Sequence, residues 1–511
     1  MPEFARILAE SEPETVAIQD LDRGFGWSEI DKILNRCANQ LLNLDLGKKR
    51  RVAVFAENSC ETAFCHLSGL ISSSSTVPVN FHLTAKEAAY ILSDSESRIV
   101  FSGPETIDRA IEAAAIAEID TVITWGENIP SESTHWLDWL SEGDDAEPPT
   151  NIKPRANLLY TSGTTGFPKG TELPPTMFAG GDTISEHLKA LAKNRFTEFG
   201  THLVVGPMYH TGPLNGIRLL ATGTPMIILG KFDPEKTLQT IATHKTESAV
   251  MVPTHFIRLL DLPDTIKNLY DVSSMKLVVH TGSSCPVNVK RAMIEWWGPI
   301  FIDAYGATEV GTTCSITSQE WLEHPGSVGQ AVRPFEALIL DENDNELPPN
   351  TEGRLCFRDK TGRGVIYPND PEKTASSNIA PGIFTLGEIG YMDEDKFVYV
   401  SDRSSDMVIS GGVNIYPAES EQILIEHPEV LDVACIGIPH REMGEELKAL
   451  IEPVNPDSPP NPKELISYCR DRLSHYKCPR SVDFVENLGR TTMGKINKAN
   501  LKAPYWKKET T

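Results

Sequence analysis

The sequence predicts an α/β protein: a large N-terminal domain of two βαβ-layered subdomains plus a small β subdomain, followed by a small α+β C-terminal domain. Three observations predict it. Short apolar runs alternate with amphipathic stretches between residues 51 and 306, as parallel strands joined by helices do. From residue 337 the pattern becomes paired β runs around turn residues, and after about residue 404 a separate α+β unit begins. We therefore divide the chain into 1–404 and 405–511, and 511 residues exceed the usual size of one domain.

In chain order, RVAVFAEN (51–58) reads as a buried strand leading to a helix, and SRIVFSG (97–103) and DTVITWG (120–126) as further strands. ENSCETAFCHLSGL holds Cys60, Cys65 and His66, but its apolar helical character favours a core helix over zinc. SEGDDAEPPTNIKP (141–154) is an acidic, proline-bearing loop, and ANLLY (156–160) is a strand. THLVVGPM, PMIILGK (225–231), SAVMVP (248–253), MKLVVHTG (275–282) and PIFIDAYG (299–306) are strands. Between them, DPEKTLQTIATH starts at an Asp233 N-cap with Pro234 first in the helix, and PVNVKRAMIEWWG (286–298) ends on Gly298. ALILDENDNELPPNTEGRLCFRD (337–359) reads as an antiparallel pair around a Pro-Pro turn, with FVYVSDR (397–403) a further strand. The C-terminal unit reads helix (PAESEQILIEHP), strand, strand, helix (PKELISYCRDRL), strand (SVDFVENL).

Composition narrows function. The formal charge of -24 argues against a nucleic-acid partner, since phosphate backbones demand a basic face. The acidic N-terminus lacks a signal pattern, the chain ends without Ser-Lys-Leu, and no apolar run spans a membrane. With nine scattered cysteines, these features lead us to expect a reduced, cytoplasmic setting.

TSGTTGFPKG (161–170) carries the chemistry. Glycines 163, 166 and 170 let backbone N–H groups turn toward one point; Thr161, Ser162, Thr164 and Thr165 add hydroxyls, and Lys169 adds a cation. Together they suit a polyphosphate. Lys169 follows Pro168 and precedes Gly170, so this is not a Walker loop.

The stretch resembles the phosphate loop of the adenylate-forming superfamily: acyl- and aryl-CoA synthetases, peptide-synthetase adenylation domains and firefly-type luciferases. Further motifs follow in the family's order over essentially the whole chain. In PMYHTGP (207–213) the resemblance makes His210 the aromatic that swings beside the acyl carboxylate. In HTGSSCP (280–286), Gly282, Ser283 and Ser284 would lie against adenine. In DAYGATE (303–309) it implies nucleotide contacts from Asp303, Ala304, Tyr305, Gly306, Ala307 and Thr308. Glu309, helped by the Thr164 hydroxyl, would hold Mg2+.

FTLGEIGYMDED (384–395) carries Glu388 where the family's ribose-binding stretch has aspartate, a carboxylate one methylene longer that still serves if its loop sits slightly back. In SDRSSDMVISGGVNIYPAE (401–419), Arg403 would reach ribose or phosphate and Asn414 the adenylate, while Gly411 and Gly412 would flank the pantetheine arm of CoA. Ser405 stands where the family's pivot carries Lys or Asp, and small residues serve a hinge. GRTTMGKINKANL (489–501) supplies the family's catalytic lysine, Lys495.

The resemblance thus implies an AMP-forming acid–thiol ligase using ATP, Mg2+ and CoA, with a mobile C-terminal domain and, by family habit, a homodimer. The acyl pocket would draw on His210, Thr211, Gly212, Phe256, Val279, Gly282 and Ala307. The CPVNVKRAMIEWWGP and HFIRLL segments resemble bacterial ligases of fatty, branched, alicyclic or steroid-type acids. Medium-chain or alicyclic acids rank first and aromatic acids second. Loading of a carrier-protein phosphopantetheine, luciferase-like oxidation, and non-catalytic nucleotide binding (suggested by Glu388 and Ser405) remain as alternatives.

Overall fold

The computed structural model describes the chain apart from residues 1–3, 21–22, 162–167, 173–179, 284, 368–369, 404–405, 411–412, 441–442, 474, 492–493, 495 and 507–511. Of residues 4, 161, 402–403, 409 and 413–414 it describes the backbone alone.

The largest sheet among the described residues has nine strands. Its middle six run parallel in the spatial order Phe301–Ala307, Leu277–His280, Ser248–Met251, His202–Val204, Met226–Ile228, Val16–Gln19. Antiparallel strands flank them: Gly311–Thr317 and Gln330–Ala331 on one edge, Gly24–Gly26 on the other. From His202–Val204 the chain crosses to Met226–Ile228 on one side and then returns to Ser248–Met251 on the other. The order therefore reverses between His202–Val204 and Ser248–Met251, and ligands of open α/β sheets bind at the carboxyl ends of such a reversal. His210 follows one of these two strands and Thr254 the other.

Helix starts follow local chemistry. Asp233 accepts the Lys236 N–H at the N-cap of Pro234–His244, with Pro at the first turn. Val287–Trp297 buries Lys290, Met293, Ile294 and Trp297, one face at helical spacing, and ends at Gly298 with φ +86. One side of the sheet packs on these helices through Leu203, Met251, Phe256, Val278, Trp297 and Phe301. The other side joins a large core with Trp27, Phe64, Phe101 and Trp136.

A second, all-parallel sheet runs in the order Ser75–Pro78, Arg51–Phe55, Val100–Ser102, Val122–Thr124, Thr134–His135. Cys60, Cys65 and His66 lie on the fully buried helix Cys60–Ile71, where the His66 ring meets the Thr76 hydroxyl at 3.0 Å, so the core-helix reading describes them. An antiparallel β subdomain contains Phe335–Leu340, Gly353–Asp359, Ile383–Met392, Asn378–Ala380 and Val398–Arg403. Further along, Val408–Ser410, Val413–Ile415, Val430–His440, Gly444–Pro453 and Ser481–Phe484 form a five-stranded sheet. Pro417–Leu424, Pro462–Arg470 and Lys498–Trp506 accompany it as helices. Among the described residues, no helix is long and apolar enough to cross a membrane.

Candidate active site

The glycine-rich stretch connects two antiparallel strands, Leu158–Thr161 and Lys169–Glu172, with Thr161 opposite Lys169. Ser162, Gly163, Thr164, Thr165 and Gly166 lie outside the described residues, as does the Thr161 side chain. Lys169 is described: its ammonium donates to the Asp370 carboxylate, which also accepts the Lys373 N–H and so caps the helix Pro371–Ser377. The Lys169 bond holds the Asp370 carboxyl below its usual range.

The sheet's carboxyl ends gather the middle motifs. Gly282 has φ +98, a left-handed backbone that glycine adopts without strain, and Ser283 beside it is half-buried. A Cβ at Gly306 would run into the Gly311 carbonyl, at the point where the register between Phe301–Ala307 and Gly311–Thr317 shifts. The Tyr305 hydroxyl donates to Glu388 at 3.2 Å, and Glu388 pairs across the sheet with Arg403. Three residues separated by up to 98 positions thus converge. Glu388 sits within the ten-residue strand Ile383–Met392, not on a loop, because it pairs with Val398–Arg403. The Thr211 and Thr308 hydroxyls lie 3.3 Å apart. Gly212 packs close to Val250 and Thr281. His210 stands at the start of the helix Thr211–Ile217, its ring against Tyr209.

Ala304 and Ala307 are half-buried, and Ala307 packs on the core of the β subdomain. Val279, half-buried, alternates away from the core-facing Val278 and His280. Phe256, expected in the acyl pocket, is wholly buried and edge-on to His280 and Phe301. It shares the core face of Pro253–Leu260 with Leu259 three residues on.

The carboxylate of Asp303 is also engaged inside the fold, contacting His280 and receiving a bond from Lys290. Lys290 is 1% exposed, its ammonium 4.9 Å from the Trp321 ring centre. Burial pushes Asp303 up to about 6 against the pull of Lys290, and drives Lys290 and His280 down. Sequence reasoning missed this cluster. The signal was a lysine on the apolar stripe of Val287–Trp297, which demands a buried partner.

Glu309 is 8% exposed. Its Oε1 accepts the Tyr367 hydroxyl at 3.1 Å, and its carbonyl accepts Arg363 at 3.0 Å. A carboxylate oxygen is a hard donor of the kind that suits Mg2+, which binds through one or two carboxylates and keeps several waters.

Ser284, Ser405, Gly411, Gly412 and Lys495 lie outside the described residues, as do the Arg403 and Asn414 side chains. Gly494, one residue before Lys495, is described. It has φ +75 and lies against the Thr254 and Ser283 hydroxyls, and Arg490 donates to its carbonyl at 2.6 Å.

Residues 6–364 match the family model described as AMP-binding enzyme, and residues 419–495 match the AMP-binding enzyme C-terminal domain. The chain belongs to the AMP-binding enzyme family. Its fold is that of the adenylate-forming superfamily that the motifs resemble. Among curated relatives, a 3-[(3aS,4S,7aS)-7a-methyl-1,5-dioxo-octahydro-1H-inden-4-yl]propanoyl:CoA ligase of Mycobacterium tuberculosis is 30% identical, covering 96% of each chain. The fatty acid–[acyl-carrier-protein] ligase ScoC of Streptomyces coeruleorubidus is 29% identical over 98% of this chain and 95% of its own. Among solved structures, ATP-bound MatB from Rhodopseudomonas palustris superposes with a TM-score of 0.80 at 28% identity, covering 99% of each chain. In this AMP-binding enzyme, then, the segment matched by the C-terminal family model ends where Gly494 meets Thr254 and Ser283 of the AMP-binding segment.

Proposed function

We propose that the protein is an ATP-dependent acyl-CoA ligase built as a 1–404 catalytic domain and a mobile 405–511 domain. A carboxylate does not acylate a thiol in water, because its leaving group would be oxide. In the first half-reaction a carboxylate oxygen attacks the α-phosphorus of ATP, and pyrophosphate departs with the bonding pair to leave acyl-AMP. In the second, the CoA thiol loses its proton, attacks the acyl carbon and expels AMP.

The observation that carries this reading is the seat of Gly494 against Thr254 and Ser283, at the strand ends where Tyr305 bonds Glu388. It brings the chain neighbour of Lys495 to the carboxyl edge of the sheet. Lys495 would bridge carboxylate and α-phosphate, stabilising charge that develops in the transition state. The phosphate loop from Thr161 to Gly166, with Lys169, would receive the polyphosphate, and Glu388, Arg403 and Asn414 the ribose and adenylate. Mg2+ on Glu309 and Thr164 would neutralise phosphate charge. Lys495 obstructs the second step, so the C-terminal domain turns about Ser405 and brings Gly411 and Gly412 to the thiol channel.

The bicyclic propanoyl relative supports a medium-chain, branched or alicyclic acid, with aromatic acids second. The carrier-protein ligase among the relatives favours one other reading, in which phosphopantetheine on a carrier is the acceptor. The test is a panel of acids with Mg·ATP and either CoA or a holo carrier protein, products read by mass spectrometry. Acyl-CoA is expected, product on the carrier alone would move the assignment to the second reading, and no thioester with any acid would contradict both. Lys495→Ala is expected to lose acyl-AMP formation yet convert supplied acyl-AMP to thioester; equal loss of both steps would refute the division of labour.

A further inference from the structure

We propose that Tyr367 is a positioning residue for the Glu309 carboxylate, orienting it toward the divalent cation. The inference rests on the reading of Glu309 as the residue that holds the metal. Glu309 is nearly out of water, so its carboxylate needs fixed partners, and among the described residues the Tyr367 hydroxyl on Oε1 is the one hydrogen bond its side chain receives. That bond is made to one oxygen, which leaves Oε2 for a ligand.

The hydroxyl is itself held in place. The Tyr367 ring is 9% exposed and faces the Lys373 ammonium at 4.2 Å. The Tyr367 N–H donates to the Thr374 hydroxyl at 2.9 Å, and Thr374 donates back to the Tyr367 carbonyl at 3.2 Å. Arg363, four residues earlier, fixes the backbone of the same glutamate through its carbonyl. One stretch of chain thus grips Glu309 at side chain and main chain, 54 and 58 residues away in sequence. A phenol ordinarily ionises only near about 10, so at neutral pH the hydroxyl is a neutral donor. A neutral donor orients a carboxylate without cancelling the charge a cation needs. Outer partners of this kind typically change metal affinity by about 10- to 100-fold when removed.

The test compares wild type, Tyr367→Phe and Glu309→Gln. Phe keeps the ring, its packing and its contact with Lys373, and deletes only the hydroxyl. Mn2+ binding in the presence of a non-hydrolysable ATP analogue is titrated by electron paramagnetic resonance, which needs no turnover. Thermal unfolding and the Mg2+ half-saturation of activity are measured alongside. Tyr367→Phe is expected to fold as the wild type does, to weaken cation affinity about tenfold, and to recover most of kcat at saturating Mg2+. Glu309→Gln is expected to weaken it further. If Glu309→Gln shifts cation affinity and Tyr367→Phe does not, the positioning role is overturned while the Glu309 reading stands. If neither shifts it, the Glu309 reading falls and takes the proposal with it.

Discussion

Two of the lysine–aspartate pairs in this AMP-binding enzyme differ in almost everything but their atoms. Lys290 and Asp303 meet inside the sheet-and-helix core, with lysine and aspartate side chains 1% and 12% exposed and His280 alongside. Lys169 and Asp370 meet beside the glycine-rich hairpin, 26% and 24% exposed. Water cannot replace a partner lost from the first pair, so that pair is permanent and fixes the strand Phe301–Ala307 that carries Tyr305. Solvent or another anion can replace Asp370 in the second pair, so Lys169 can exchange partners. Depth, more than residue type, separates scaffold from site.

The largest effect should come from breaking the buried pair. Lys290→Met leaves the Asp303 carboxylate buried without its cation, and should cost about 3–5 kcal/mol of stability in urea unfolding. Adding Asp303→Asn should recover part of it. A loss under about 1 kcal/mol would erase the distinction between the two pairs.

A second prediction concerns the scaffold's acid sensitivity. Burial lowers His66 and His255 to about 3 and His187 and His202 to about 4. Their unfolded values lie near 6.5, so as pH falls below 6.5 the unfolded chain binds protons that the folded chain refuses. Stability is therefore intact above about pH 6.5 and is lost as pH falls toward about 4. Each histidine adds a slope of about 1.4 kcal/mol per pH unit within its window. His202→Gln, whose amide can still reach Ser248, should flatten the measured slope by about one proton between pH 6 and 5.

The smallest effect sharpens the exposed side of the comparison. Asp370→Asn keeps an N-cap for Pro371–Ser377 while releasing Lys169. ATP should then bind a few-fold more tightly at low salt, the difference fading as salt screens the pair, with Tm unchanged. Weaker ATP binding would make Asp370 a partner in nucleotide capture, not a competitor.

Much of this was legible in the sequence, and the reason is locality. Asp233 with Pro234, and Gly298 after Trp297, mark helix ends by their own chemistry, and each strand between residues 202 and 307 belongs to one local βαβ step. The strand Val16–Gln19 was not legible, because it joins the sheet beside Met226–Ile228, some two hundred residues on. The packing of Phe256 edge-on to His280 was not legible, because periodicity reveals an apolar face but not which layer the face meets. Tyr367 and Asp370 escaped for the same reason: their partners Glu309 and Lys169 are 58 and 201 positions away. Glu388, read from its motif as a loop residue, lies in a strand whose register sets it opposite Arg403.

The central claim is that an organic acid becomes electrophilic here by being joined to AMP. Its most direct test is acid-dependent exchange of labelled pyrophosphate into ATP, run on the pure protein with Mg2+ and a broad panel of acids, without any thiol. The account predicts exchange that appears only with an accepted acid and disappears in Lys495→Ala. Absence of exchange with every acid, or exchange indifferent to the acid, would contradict it.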